Sequence, residues 1–142
     1  MISSMRCAVA VALVALALPV WGKGTSVKDI IGSWEGESKC TVADSPCHDE
    51  HVLIQIAPDK SDPWQLKLDA YKIVDGAPDF MGTLECHFHS GAATMSCTGN
   101  TSQQDDWEFQ ITGDSMTGRL TVGAGKTLYR RLTLHKATAP SK

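Results

Sequence analysis

Two short runs of this 142-residue chain hold the residue types best suited to chemistry. One is Cys47-His48-Asp49-Glu50-His51, with Cys40 upstream; the other is Cys86-His87-Phe88-His89, with Cys97 downstream. Thiolate and imidazole at short spacing suit zinc, because both offer a lone pair to a borderline-soft cation. The same cysteines can equally form two disulfides, and an even count in an exported chain favours that use. On that reading Cys40, Cys47, Cys86 and Cys97 are withdrawn from metal chemistry, and no metal or other cofactor is expected. His48, His51, His87 and His89 remain as the alternative metal-ligating set. His87 and His89 fall on the polar parity of their segment, which points them to solvent.

Other candidates for catalysis have plainer explanations. Glu35, Glu37, Asp49 and Glu50 could supply paired carboxylates for acid–base work, but Glu35 and Glu37 alternate with apolar neighbours and belong to a solvated face. Gly123-Ala124-Gly125-Lys126-Thr127 ends like a phosphate-binding loop. That pattern needs a glycine where Leu120 stands and a helix afterwards, so a hairpin turn is expected instead. The serines sit mainly in turns, and no Ser, His and Asp grouping suggests a nucleophile. No catalytic residue is therefore assigned, and the expectation is a protein that is not an enzyme. Asn100-Thr101-Ser102 is a glycosylation sequon in a host that glycosylates.

The compartment follows from the first segment. Residues 1–22 read as a secretory leader: Arg6 in a short polar start, an apolar run from Cys7 to Leu18, then Pro19-Val20-Trp21-Gly22. The apolar run is about a dozen residues, short of the ~20 that a membrane-spanning helix needs. Cleavage before Lys23 leaves residues 23–142 as one domain, exported to the periplasm or beyond, with no stable membrane anchor. A net charge of -3 without a basic run argues against nucleic acid or an anionic membrane as partner.

The elements that position the cysteines and histidines are strands. Ser26-Val-Lys-Asp29 resembles a capping box opening one helical turn. Beyond it the apolar residues alternate: Trp34, Gly36, Ser38, Cys40; Val52, Ile54, Ile56; Trp64, Leu66, Leu68, Ala70; Phe80, Gly82, Leu84, Cys86, Phe88; Met95, Cys97; Trp107, Phe109, Ile111; Met116, Gly118, Leu120, Val122; Leu128, Arg130, Leu132, Leu134. These eight segments are joined by short turns, so neighbours pair antiparallel and close into an up-and-down barrel; an open two-sheet sandwich is the alternative. A four-residue loop at Ser90 to Ala93 pairs His89 with Thr94, and the same register sets Cys86 opposite Cys97. This favours the local bonds Cys86–Cys97 and Cys40–Cys47 among the three possible pairings.

Arg130 shares the inward parity, and an inward guanidinium needs a partner. Trp34 is the candidate, because the first and last strands of a closed meander are neighbours and arginine stacks well on indole. A helical turn, then Gly32-Ser33-Trp34 opening the first strand, then an inward Arg130 on the last, resembles the lipocalin or calycin pattern. The resemblance implies that Trp34 under Arg130 closes one end of the barrel and that the other end can admit a small apolar molecule. The exported bacterial inhibitors of metalloproteases share the size, export and strand pattern.

Trp64, Phe80, Phe88, Met95, Trp107 and Phe109 are the expected interior, and so the expected ligand-contacting set. An eight-stranded barrel sits at the size where side chains either just fill the interior or leave room for one small molecule. A domain this short favours the filled interior. The leading functional expectation is an exported binding protein, for a small apolar molecule at the barrel mouth. The alternatives are a protein-interaction module, such as an inhibitor of a secreted protease, and a metal-binding protein using surface histidines.

Overall fold

The computed structural model describes residues 24–99 and 104–138. The expected leader and Asn100 lie outside them. A single helical turn, α1 (Val27–Ile30), opens the described chain. The Asp29 carboxylate accepts bonds from the Ser26 backbone N–H at 2.7 Å and from Ser26 Oγ at 2.8 Å, which ties down the first turn as the capping pattern requires. Eight strands follow: β1 (Gly32–Cys40), β2 (Glu50–Pro58), β3 (Gln65–Val74), β4 (Ala77–His89), β5 (Thr94–Gly99), β6 (Asp105–Thr112), β7 (Ser115–Val122) and β8 (Thr127–Lys136). Each pairs antiparallel with the next and β8 returns to β1, so the sheet closes into a barrel in sequence order. Closure removes the sheet edges and gives the alternating apolar residues one common interior.

An up-and-down path sorts the connections to two ends. The first end collects α1 and the turns after β2, β4 and β6, and it is packed shut. Ile30, Trp34, Phe88, Met95, Ile111, Met116 and Leu134 are buried there. The Trp34 indole N–H donates to the Ile30 carbonyl at 2.9 Å, so the helical turn sits as a plug on the ring. β1 and β8 approach closely beside it: a Cβ at Gly36 would stand 2.0 Å from the Thr133 carbonyl oxygen. Only glycine leaves room for that contact.

The expected cysteine register is present. His89 pairs with Thr94 and Cys86 with Cys97; the disulfides are Cys86–Cys97, buried in the interior, and Cys40–Cys47, which ties the loop after β1. Two such bonds fit an oxidising compartment. Among the described residues no helix is long and apolar enough to cross a membrane.

Two bulges break the simple alternation. Between β3 and β4, Ala70 pairs with Gly82 but Tyr71 pairs with Phe80, leaving Met81 as the extra residue. Between β7 and β8, Leu120 pairs with Arg130 but Thr121 pairs with Leu128, leaving Tyr129 extra. One inserted residue reverses the phase of everything beyond it. Phe80 is therefore not an interior residue; it turns toward Tyr71, the ring centroids 5.4 Å apart, and is 58% exposed. Leu128 leaves the interior phase for the same reason. Trp64 also lies outside: it precedes β3, is 44% exposed, and stacks over Phe88 with centroids 6.5 Å apart.

The expected packing of Arg130 on Trp34 is corrected by the β1–β8 register. Trp34 pairs with Lys136, whose ammonium lies 5.3 Å from the indole centroid, whereas Arg130 pairs with Cys40. Six residues of strand, about 20 Å, separate Trp34 from Cys40. Adjacency of two strands does not fix which of their residues meet. Here the slant of the strands puts the arginine and the tryptophan at opposite ends of the barrel.

Candidate functional site

The second end collects the Cys40–Cys47 loop, the β3–β4 hairpin, the end of β5 at Gly99, the start of β6 at Asp105, and the β7–β8 turn. Among the described residues it is open. A cavity of about 570 Å³ runs inward from it, so the interior is filled only at the Trp34 end and the expectation of a filled barrel fails here. The physical reason lies in the side chains. Gly82, Gly99 and Ala70 stand where larger residues would meet across the barrel, and the β3–β4 bulge turns Phe80 away from the centre. Val52, Ile54, Leu68, Leu84, Phe109 and Leu132 form the apolar wall, with Trp107 beside Phe109, the two rings stacked at 6.2 Å between centroids.

The rim is polar and organised around Arg130. Its side chain is 14% exposed, and its guanidinium donates to Ser38 Oγ at 3.1 Å and to the His48 carbonyl at 3.0 Å, with Glu50 Oε2 at 3.5 Å. These contacts join β8, β1 and the disulfide-tied loop, and they hold the guanidinium in one place. Asp105 also lines the cavity. Outside the bulge, Lys72 and Asp79 pair at 3.6 Å; Met81 beside Phe80, and Val74 nearer the hairpin tip, remain 45% exposed. A charged rim beneath an exposed apolar lip gives the opening an amphipathic margin.

Sequence reasoning named Glu50 only as a possible acid–base carboxylate and did not place Asp105 inside, although the signal for both was present. The parity of Val52, Ile54 and Ile56 extends back to Glu50, which pairs with Ser38; that of Trp107 and Phe109 extends back to Asp105. A strand end at an open mouth is where an inward-facing carboxylate reaches water without losing its phase.

Of the expected ligand-contacting residues, Trp107, Phe109 and Phe80 border the cavity, Phe80 from the lip. Phe88 and Met95 are buried in the closed half, and Trp64 lies outside. The four histidines do not gather at one place; only His87 and His89 have their rings together, 4.8 Å between centroids. His48 lies in the Cys40–Cys47 loop region and His51 on the outer face of β2, while His87 and His89 lie on the outer face of β4 near the closed end. Among the described residues, no group of three or more His, Cys, Asp or Glu side chains is placed to hold a metal ion.

His51 instead sits between two carboxylates of β1, its Nε2 2.7 Å from Glu35 and its Nδ1 2.9 Å from Glu37. Hydrogen bonds to Glu35 first and Glu37 second favour the protonated ring and raise its pKa above the ordinary histidine value.

Chemically, the cavity offers apolar contact along its depth and one fixed guanidinium, with carboxylates, at its mouth. The buried hydroxyl of Ser38 accepts a hydrogen bond from the Arg130 guanidinium, a group of donors with no acceptor site to offer it in return. In comparison with known proteins, no family model matches the chain and no curated sequence matches it.

Proposed function

We propose that the protein is an exported, non-enzymatic binding module of lipocalin-like type that takes one small apolar-bodied molecule into the open end of its barrel. The observation that carries this reading is the cavity of about 570 Å³. Its size falls within the ~300–1,000 Å³ of small-molecule pockets, and an apolar wall with a few fixed polar groups is the usual lining of such sites. The disulfides support residence in an oxidising compartment. Trp107 on the wall supplies a reporter.

Titration with 1-anilinonaphthalene-8-sulfonate tests the proposal. The expected result is one-to-one binding with enhanced dye emission, quenching of tryptophan fluorescence, and displacement by dodecanoate or naphthalene. Ala70→Phe, which places a ring in the cavity, should weaken binding by at least about tenfold, or 1.4 kcal/mol. Absence of binding, or equal binding by the variant, would remove the proposal.

A second reading is favoured by the exposed lip of Val74, Phe80 and Met81. Exposed apolar side chains gathered on one hairpin suit a protein partner such as a secreted protease. It requires inhibition in a panel of secreted proteases that is lost in Phe80→Asp and kept in Ala70→Phe.

A further inference from the structure

We propose that His87 and His89 form a two-histidine clamp for one late first-row transition-metal ion, Cu²⁺ foremost, on the outer wall of the barrel. Their shared face comes from the strand: they alternate with Cys86 and Phe88, which are buried and so fix the outward side. An extended strand sets residues two apart about 6.7 Å from each other at Cα. The rings have converged further, to 4.8 Å between centroids, with 64° between their planes.

That separation admits a shared ion. With a metal–nitrogen bond of about 2.0 Å and a ring centre about 1.2 Å behind the nitrogen, each centroid stands about 3.2 Å from the ion. Centroids 4.8 Å apart then subtend about 97° at the metal, between the ~90° of square-planar and the ~109° of tetrahedral ligands. The χ2 torsion of histidine is broad, so each ring can turn its nitrogens toward a shared ion without a change of backbone.

The surroundings suit a cation. Ser96, opposite His87 on β5, places its Oγ 3.2 Å from His89 Nε2, the kind of outer hydrogen bond that orients a ligating imidazole. The residues paired with the two histidines, Gln65, Ser96 and Thr94, are uncharged, and Glu85 lies next along the same face. Two protein ligands leave the remaining positions to water. Imidazole nitrogen binds divalent first-row ions with copper at the top of the order, which makes Cu²⁺ the sharpest probe.

Calorimetric titration of the disulfide-bonded protein with CuCl₂ in a weakly coordinating buffer, read in parallel by electron paramagnetic resonance, tests the clamp. The expected result is one Cu²⁺ per chain with a two-nitrogen signature. His87→Gln and His89→Gln should each weaken it by at least about tenfold, since a lost ligand costs no less than a lost outer partner. The double variant should abolish it, and His48→Gln, His51→Gln and His135→Gln should leave it unchanged. Circular dichroism and melting temperature of the variants should stay native, separating loss of the site from loss of the fold. No stoichiometric Cu²⁺ binding, binding that survives the double substitution, or binding weakened by His48→Gln or His51→Gln would overturn the proposal.

Discussion

Arg130 and Arg131 are adjacent in sequence and opposite in consequence. Arg130 is held at the rim by Ser38, Glu50 and the His48 carbonyl, while Arg131 points outward and is exposed. Arg130→Ala strands a partly buried carboxylate and releases the loop, so it should cost about 1–3 kcal/mol; Arg131→Ala should stay within about 0.5 kcal/mol. Paired chemical denaturation of the two variants measures the difference. At His51 the expectation is a pH dependence. Its pKa is raised in the fold by Glu35 and Glu37, so its stabilising contribution is full below the ordinary histidine value and is lost as pH rises through the raised one. The site is exposed and solvent screens it, so the effect is small. The melting-temperature gap between the native protein and His51→Gln should shrink from pH 5 to pH 8; a gap that grows would reverse the sign of the linkage.

At the scale of elements, the two bulges decide what the barrel presents. Gly82 sits beside the β3–β4 bulge at φ +155, a conformation that a side chain strains, with nothing within 4 Å of a built Cβ. Gly36 is the reverse case, ordinary in backbone but pressed against Thr133. Gly36→Ala should therefore cost at least the ~1–3 kcal/mol of overpacking, because the obstacle is backbone rather than a flexible side chain. Gly82→Ala should cost about 1–3 kcal/mol through strain and should also change dye binding, since it reshapes the lip; Gly36→Ala should leave dye affinity near native at temperatures where it remains folded. Thermal melts with dye titration of both variants separate packing from shape.

For the molecule as a whole, the disulfides close loops with separations of 7 and 11 residues. By the chain-entropy relation they contribute about 2.4 and about 2.8 kcal/mol. They differ in surroundings: Cys86 and Cys97 are buried in the core, whereas Cys40 and Cys47 tie a surface loop. Cys86→Ser with Cys97→Ser should be the more destabilising pair, because it also leaves hydroxyls in an apolar interior. Removing Cys40 and Cys47 should lower melting temperature less but weaken dye binding more, because that loop carries the His48 carbonyl that holds Arg130. Equal effects of the two pairs on both measurements would contradict this division.

What was legible in the sequence is what local chemistry determines. Alternation with period two names the strands and, with short turns between them, the antiparallel meander. The loop of Ser90 to Ala93 sets a register, and that register sets Cys86 opposite Cys97, because pairing within a hairpin depends only on the chain between the two strands. The capping pattern at Ser26 and Asp29 is equally local. Tertiary structure decided the rest. Whether Trp34 meets Arg130 or Lys136 depends on the stagger between strands at the two ends of the chain, and closure of the whole barrel sets it. Whether Phe80 points inward depends on one inserted residue opposite β3, invisible to a count along β4 alone. Whether the interior is full depends on small residues from several strands meeting at one level of the barrel. Alternation says which side of a strand is apolar; only closure says how far that side reaches, and here it stops short of the open end.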